Sequence, residues 1–215
     1  MEKIFKYDYV IVGAGIIGLT IAYSLKKKFP QSKIAILEKE EREALHSSGR
    51  NSGVLHAGFY YTADSLKAKF TRDGNFEMKA FCETNNLKIN HSKKVVVAQN
   101  DNEVNTIHEL YKRGIENNVR VEVINESQLQ KIDPNVKTNK VALYSPDTST
   151  VDPIEVCLCF RNELEKTGVK FFFNEGYLKN NGNNFILSSK KRTFEYGKLV
   201  NTAGLYADKI AKDFG

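Results

Sequence analysis

The 215 residues carry a formal net charge of +6, with 41% hydrophobic and 27% charged side chains, a balance that suits a globular chain of one large or two small domains and excludes a disordered or fibrous one. The positive charge is spread out. Lysine-rich pieces such as Lys26-Lys27-Lys28 and Lys190-Lys191-Arg192 read as solvated helix ends and turns, and without zinc-finger spacing or an aromatic RNA-binding signature they do not argue for nucleic acid.

Cys82, Cys157 and Cys159 are odd in number and lack C-x-x-C spacing, so neither a disulfide framework nor a metal site is indicated. Reduced, buried thiols in a cytoplasmic compartment are the simpler expectation. The longest apolar stretch, Val10 to Tyr23, is broken by glycines and is too short for a membrane span. A cytoplasmic location is therefore expected, and the basic surface is compatible with an anionic substrate or with peripheral contact at the inner membrane.

The first elements lie in Tyr7-Asp8-Tyr9-Val10-Ile11-Val12-Gly13-Ala14-Gly15-Ile16-Ile17-Gly18. Val10-Ile11-Val12 is the short β-branched run of a strand covered on both faces in a parallel sheet. The glycines then predict a tight turn at Gly13, close backbone approach to a pyrophosphate at Gly15, and tight packing of helix on strand at Gly18. The helix from Ile16 to Lys28 has Ile17, Ile21 and Leu25 on one face, and its free N–H groups and positive dipole end point at the phosphates. Pro30 closes it. A second buried strand, Lys33 to Leu37, ends at Glu38, about twenty residues after Gly18, where a carboxylate holds a ribose 2′-hydroxyl and repels a 2′-phosphate. This order predicts dinucleotide binding. The alternative is a βαβ unit with tight turns and no ligand.

From Arg42 to Tyr61 the composition turns small, polar and aromatic, with no regular period, which suits a segment following an extended cofactor. Ser65 to Glu83 has helical spacing, with Leu66, Phe70, Met78 and Phe81 as expected core positions. Lys94 to Ala98 reads as a strand, Asp101 as the cap of a helix to about Asn117, Val119 to Ile124 as a strand, Glu126 to Ile132 as a short helix, and Val141 to Ser145 as a strand. Asp152-Pro153 starts a helix running to Lys166, and Val169 to Phe173 is a strand. Three short segments, near Tyr177, Phe185 to Ser189 and Thr193 to Tyr196, form an antiparallel meander. Lys198 to Gly204 is a further strand running into a glycine turn, and Leu205 to Lys212 a helix.

The fold class expected is α/β: a Rossmann-like domain from residues 1–84 and 148–215, with an α+β domain inserted at 85–147.

Ser48-Gly49-Arg50-Asn51-Ser52-Gly53-Val54-Leu55-His56-Ala57-Gly58-Phe59-Tyr60-Tyr61 resembles the FAD-dependent oxidoreductases of the D-amino-acid oxidase and glycerol-3-phosphate dehydrogenase type, and within them most resembles the L-2-hydroxyglutarate oxidase or dehydrogenase group. Ser65 to Lys69, Leu143 to Pro146, Val151 to Pro153 and Asn201 to Asp208 agree with it, and the resemblance covers essentially the whole chain. It implies FAD, and oxidation of an L-2-hydroxy acid to a 2-keto acid by hydride transfer to flavin, with a quinone or oxygen as electron acceptor. It also implies an N-terminal portion of a longer enzyme, whose later part completes the substrate domain. The alternatives are a relative acting on an amino acid, sarcosine or glycerol-3-phosphate, and a truncated, inactive chain.

The resemblance assigns Gly13, Gly15 and Gly18, with Ile16 and Ile17 between them, to the pyrophosphate turn, and Glu38 with its neighbour Lys39 to the adenosine end. It lays Ser47, Ser48, Arg50, Asn51 and Ser52 along the pyrophosphate, ribityl chain or flavin edge, and Gly204 at the second turn. It implies a place near the isoalloxazine ring for His56, as the general base matched to a hydroxyl proton near neutral pH; a covalent flavin link is the minor alternative. His46, His91 and His108 have no such context. Tyr60, Tyr61, Lys67 and Arg72 are candidates for the substrate carboxylates, against aromatic packing and solvent exposure as ordinary roles.

Overall fold

The computed structural model of the protein describes residues 4–215. Strand β1 (Ile4–Val12) leads to helix α1 (Ile16–Lys28), strand β2 (Ile34–Leu37) and a 3-10 turn at Ser47–Gly49. Next come β3 (Val54–Leu55), α2 (Leu66–Thr84), β4 (Ile89–Asn90), β5 (Lys94–Val97), α3 (Asp101–Glu116), β6 (Glu122–Asn125), α4 (Glu126–Ile132), β7 (Val141–Ser145) and β8 (Ser149–Val151). The chain continues through α5 (Pro153–Lys166), β9 (Lys170–Phe172), β10 (Tyr177–Asn180), β11 (Phe185–Ser188) and β12 (Thr193–Asn201), then a second 3-10 turn at Gly204–Tyr206 and α6 (Ala207–Lys212). No described helix is long and apolar enough to cross a membrane.

These elements divide into two compact units, Met1–Asn51 with Pro153–Gly215, and Ser52–Asp152. Both junctions differ from the expected ones at 84/85 and 147/148. Helix α2 belongs to the inserted unit because its Asn75 is bonded to the carbonyls of Leu55 and Asp147. Strand β8 belongs there because it pairs with β3 and β4.

The first unit is built on a six-stranded sheet in the order β10-β11-β12-β1-β2-β9. Strands β12, β1, β2 and β9 are parallel, and β10 and β11 extend the sheet antiparallel beyond β12. Alternation along β1 places Phe5 and Tyr7 with Phe172 and Phe194, whose rings meet edge-on at 5.0 Å, in a core that includes Val10, Leu37 and Ile186. Helices α1 and α5 pack together, with Tyr23 and Phe160 edge to face at 5.3 Å.

Two expectations change in this unit. The buried face of α1 is Gly18, Leu19 and Ala22, and Ile17 is 60% exposed, because small residues bring the helix close to the strand turn. The segments Thr193 to Tyr196 and Lys198 to Asn201 form one strand. Its parallel ladder with β1 runs from Ile4↔Thr193 to Val12↔Asn201 and carries the chain through Gly197. The expected helix from Leu205 starts only at Ala207, after the 3-10 turn.

The inserted unit holds two three-stranded antiparallel sheets, β3-β8-β4 and β5-β7-β6. Ile107 and Leu110 of α3 bury themselves with Ala57, Phe59, Ala98, Val121 and Leu143. Helix α3 is capped by Asn100, not Asp101: its side chain accepts from the Glu103 N–H at 3.1 Å, leaving Asp101 in the first turn. Helix α4 starts with a capping box, Asn125 and Gln128 each accepting from the other's backbone N–H. Helix α2 buries Ala68, Asn75 and Cys82, whereas Leu66 and Phe70 are 69% and 64% exposed. The expected apolar face is therefore not the packed one, since the packed stripe follows a heptad through a buried asparagine.

Candidate cofactor and active site

In the first unit the glycine turn follows directly from β1. Gly13 sits at φ +107°, a conformation L side chains rarely adopt, and a Cβ on Gly18 would lie 2.1 Å from the Gly13 carbonyl oxygen. Both glycines are therefore required by the turn and by helix-on-turn packing. Gly15 precedes the first residue of α1 and offers no side-chain cap. Ser48 Oγ accepts from the Ile16 N–H at 2.9 Å, and the N–H groups of Ile17 and Gly18 find no protein acceptor among the described residues. These two donors stand at the positive end of a 13-residue helix, an arrangement chemically suited to an anion.

Glu38 stands at the end of β2, 9% exposed. Its Oε2 accepts from the Ala14 N–H at 2.8 Å and its Oε1 from the Glu40 N–H at 3.0 Å. A carboxylate has about four acceptor sites, so capacity for ribose hydroxyls remains. Lys39 reaches Glu40 at 3.2 Å and lies over the Tyr206 ring at 4.7 Å. Ser47 and Ser48 form the 3-10 turn that Asn51 Nδ2 closes by donating to their carbonyls at 3.0 and 2.9 Å, and Arg50 is exposed. Gly204, at φ +57° with open space around it, begins the turn after β12. Free donors, a glycine cradle and a fixed carboxylate together fit the ADP half of a dinucleotide.

Sequence reasoning missed Thr202. Its N–H and Oγ1 both donate to the Val12 carbonyl, at 3.0 and 2.8 Å, and Oγ1 also reaches the Gly13 carbonyl at 3.2 Å. The strand-turn-helix from Lys198 to Lys212 was the available signal, and the register Val12↔Asn201 brings it beside the opening turn.

His46 pairs with Glu40 at 2.8 Å, which holds that carboxyl below its usual range, with Lys39 adding to the effect. Cys157 is buried, and burial, aided by Glu43, pushes its thiol up to about 12. No disulfide joins any of the three cysteines.

Ser52, His56, Tyr60, Tyr61, Lys67 and Arg72 lie in the inserted unit. His56 follows β3 and is exposed. Partial burial lowers its pKa by desolvation, and repulsion from Lys94 at the start of β5 lowers it further. Lys94 also lies over the Tyr60 ring at 4.8 Å, and Lys67 over the Tyr61 ring at 4.5 Å. Arg72 is bonded through Nε to Asp73 at 2.8 Å and through Nη1 to the Asn117 carbonyl at 3.2 Å. The unit thus brings His56, Tyr60 and Lys94 together, and ties Arg72 to its own framework. Lys94 was missed because a lysine opening a strand reads as a solvated edge. Among the described residues no cluster of His, Cys, Asp and Glu could hold a metal.

A model of the family described as FAD dependent oxidoreductase matches residues 8–215. L-2-hydroxyglutarate dehydrogenase of Escherichia coli K12 is 34% identical over 212 residues, covering 97% of this chain and 50% of that protein. The mitochondrial L-2-hydroxyglutarate dehydrogenase of Dictyostelium discoideum is 38% identical over 190 residues, covering 84% and 43%. The chain therefore spans about half the length of these curated relatives. In fold it is similar to L-α-glycerophosphate oxidase of Mycoplasma pneumoniae with FAD bound (TM-score 0.84, 24% identity, 97% of this chain and 56% of that one). It is also similar to glycine oxidase of Geobacillus kaustophilus (TM-score 0.88, 18% identity, 98% and 59%).

Proposed function

The chain belongs to the FAD-dependent oxidoreductase family, and on that footing we propose that it oxidises an L-2-hydroxy acid, L-2-hydroxyglutarate, to the 2-keto acid. The observation that carries this reading is the 34% identity to a dehydrogenase of that substrate across 97% of the chain.

FAD, when bound, would supply the hydride acceptor, with a quinone or oxygen as the onward electron acceptor. The N–H groups of Ile17 and Gly18 would hold phosphate oxygens at the helix N-terminus, and Glu38 would accept from ribose hydroxyls while Ala14 and Glu40 keep its carboxylate oriented. Ser47, Ser48, Arg50, Asn51, Ser52 and Gly204 would serve the middle of the cofactor. As the C2 hydrogen leaves with its electron pair, an imidazole nitrogen of neutral His56 takes the hydroxyl proton. The lowered pKa of His56 supports this role, since the neutral form then prevails near neutral pH. Lys94, Lys67 and the hydroxyls of Tyr60 and Tyr61 supply charge and hydrogen bonds for substrate carboxylates.

The test is anaerobic bleaching of the flavin band in FAD-reconstituted protein. L-2-hydroxyglutarate should bleach it, and its D enantiomer, glycine and sarcosine should not. Bleaching by glycerol-3-phosphate in place of L-2-hydroxyglutarate would overturn the substrate assignment.

A further inference from the structure

The stretch around His56 has almost no ladder of its own: after the two residues of β3 it runs to Tyr61 without regular structure. Its carbonyls are instead captured by side chains. Asn75 Nδ2 donates to Leu55 O at 2.9 Å and to His56 O at 3.2 Å, and reaches Asp147 O at 3.3 Å. Asn117 Nδ2 donates to Tyr61 O at 2.9 Å and Gly58 O at 3.1 Å, and Arg113 Nη1 reaches Tyr60 O at 3.4 Å. Five carbonyls between residues 55 and 61 are bound in this way.

The two asparagines are 3% and 4% exposed, and the Oδ1 of each is buried without a hydrogen-bond partner. An unpaired buried acceptor is costly, because its lost hydration is not repaid by a partner. Turning either amide over would set its oxygen against those carbonyls, so the acceptors dictate the orientation. Both residues thus leave an oxygen unpaired in order to direct N–H groups at one irregular segment, a pattern found where backbone geometry serves a site.

We propose that Asn75 and Asn117 are positioning residues, a two-point clamp that fixes the main chain on either side of His56 and so fixes the direction in which its imidazole is presented. The functional weight of the clamp rests on His56 being the proton acceptor; its effect on the His56 backbone does not.

The test is made first on the flavin-free protein, by NMR titration of the His56 ring and amide exchange across residues 55–61. Asn75→Leu removes the donors at similar bulk. It should move the His56 midpoint toward the ordinary histidine value and speed exchange in the segment about tenfold or more, with Asn75→Gln restoring part of both. In the FAD-loaded enzyme the same variant should lower kcat for flavin reduction about 10- to 100-fold with little change in KM. If Asn75→Leu does not fold, Asn75→Ser, which keeps one donor, is measured in the same way. A folded variant with unchanged His56 titration and unchanged exchange would overturn the clamp. Undiminished flavin reduction in His56→Asn would instead overturn the role of His56, and the two failures are read from different samples.

Discussion

The roles proposed for His56 and Glu38 rest on the environment of each side chain. A base must be neutral to accept a proton, and desolvation with Lys94 repulsion lowers the His56 pKa from an ordinary value near 6.5. The rate of flavin reduction should therefore rise with pH through a midpoint below that value and then level off. Lys94→Met should shift this acid limb to higher pH, because the imidazolium loses a repelling neighbour. His56→Asn should lower the rate by roughly 10²–10⁴-fold. Stopped-flow reduction across pH checks all three. At the other end of the proposed site, Glu38→Ala leaves the Ala14 and Glu40 N–H groups without their acceptor and removes the proposed ribose partner. FAD affinity should fall about 10- to 100-fold, the equivalent of a lost charged hydrogen bond of about 1.5–3 kcal/mol, measured by flavin fluorescence titration.

Elements differ in how much of themselves they write into contiguous sequence. The extent of helix α4 was legible, Glu126 to Ile132, because its signals are local; its cap and third residue, Asn125 and Gln128, are three apart and bond each other. Asn125→Ala should destabilise the protein by about 0.5–2 kcal/mol, seen as a lower urea midpoint with an unchanged slope. The glycine turn and Glu38 were legible for the same local reason. Helix α2 was legible in extent but not in orientation, since the carbonyls that bury Asn75 belong to Leu55 and Asp147, far along the chain, and no periodicity of Leu66 and Phe70 reports them. The two-residue strands β3 and β4 are too short to show alternation. The continuity of β12 was hidden by Gly197, which reads as a break until the ladder with β1 is in place.

For the molecule as a whole, the inserted unit separates the two parts of the first. The pairing of β1 with β12 joins residues 4–12 to residues 193–201, and the unit Ser52–Asp152 lies between them in sequence. Non-local parallel pairing must meet the loop-closure cost before its contacts reward it. Refolding of the sheet should therefore lag behind that of α3 and α4. Stopped-flow exchange labelling should find amides of α3 and α4 protected first and those of β1 last. Protection of β1 simultaneous with that of α3 would contradict this order.

The hydroxyl of Thr202 on the Val12 and Gly13 carbonyls carries a consequence for biosynthesis. A ribosome releases the opening turn early, yet the residue that braces it is about 190 positions behind. At about 5–20 residues per second this is a wait of roughly 10–40 s. Throughout that interval the nascent cradle has its glycines and Glu38 but not its brace. A cradle that captures a cofactor during translation is therefore unbraced until β12 has emerged.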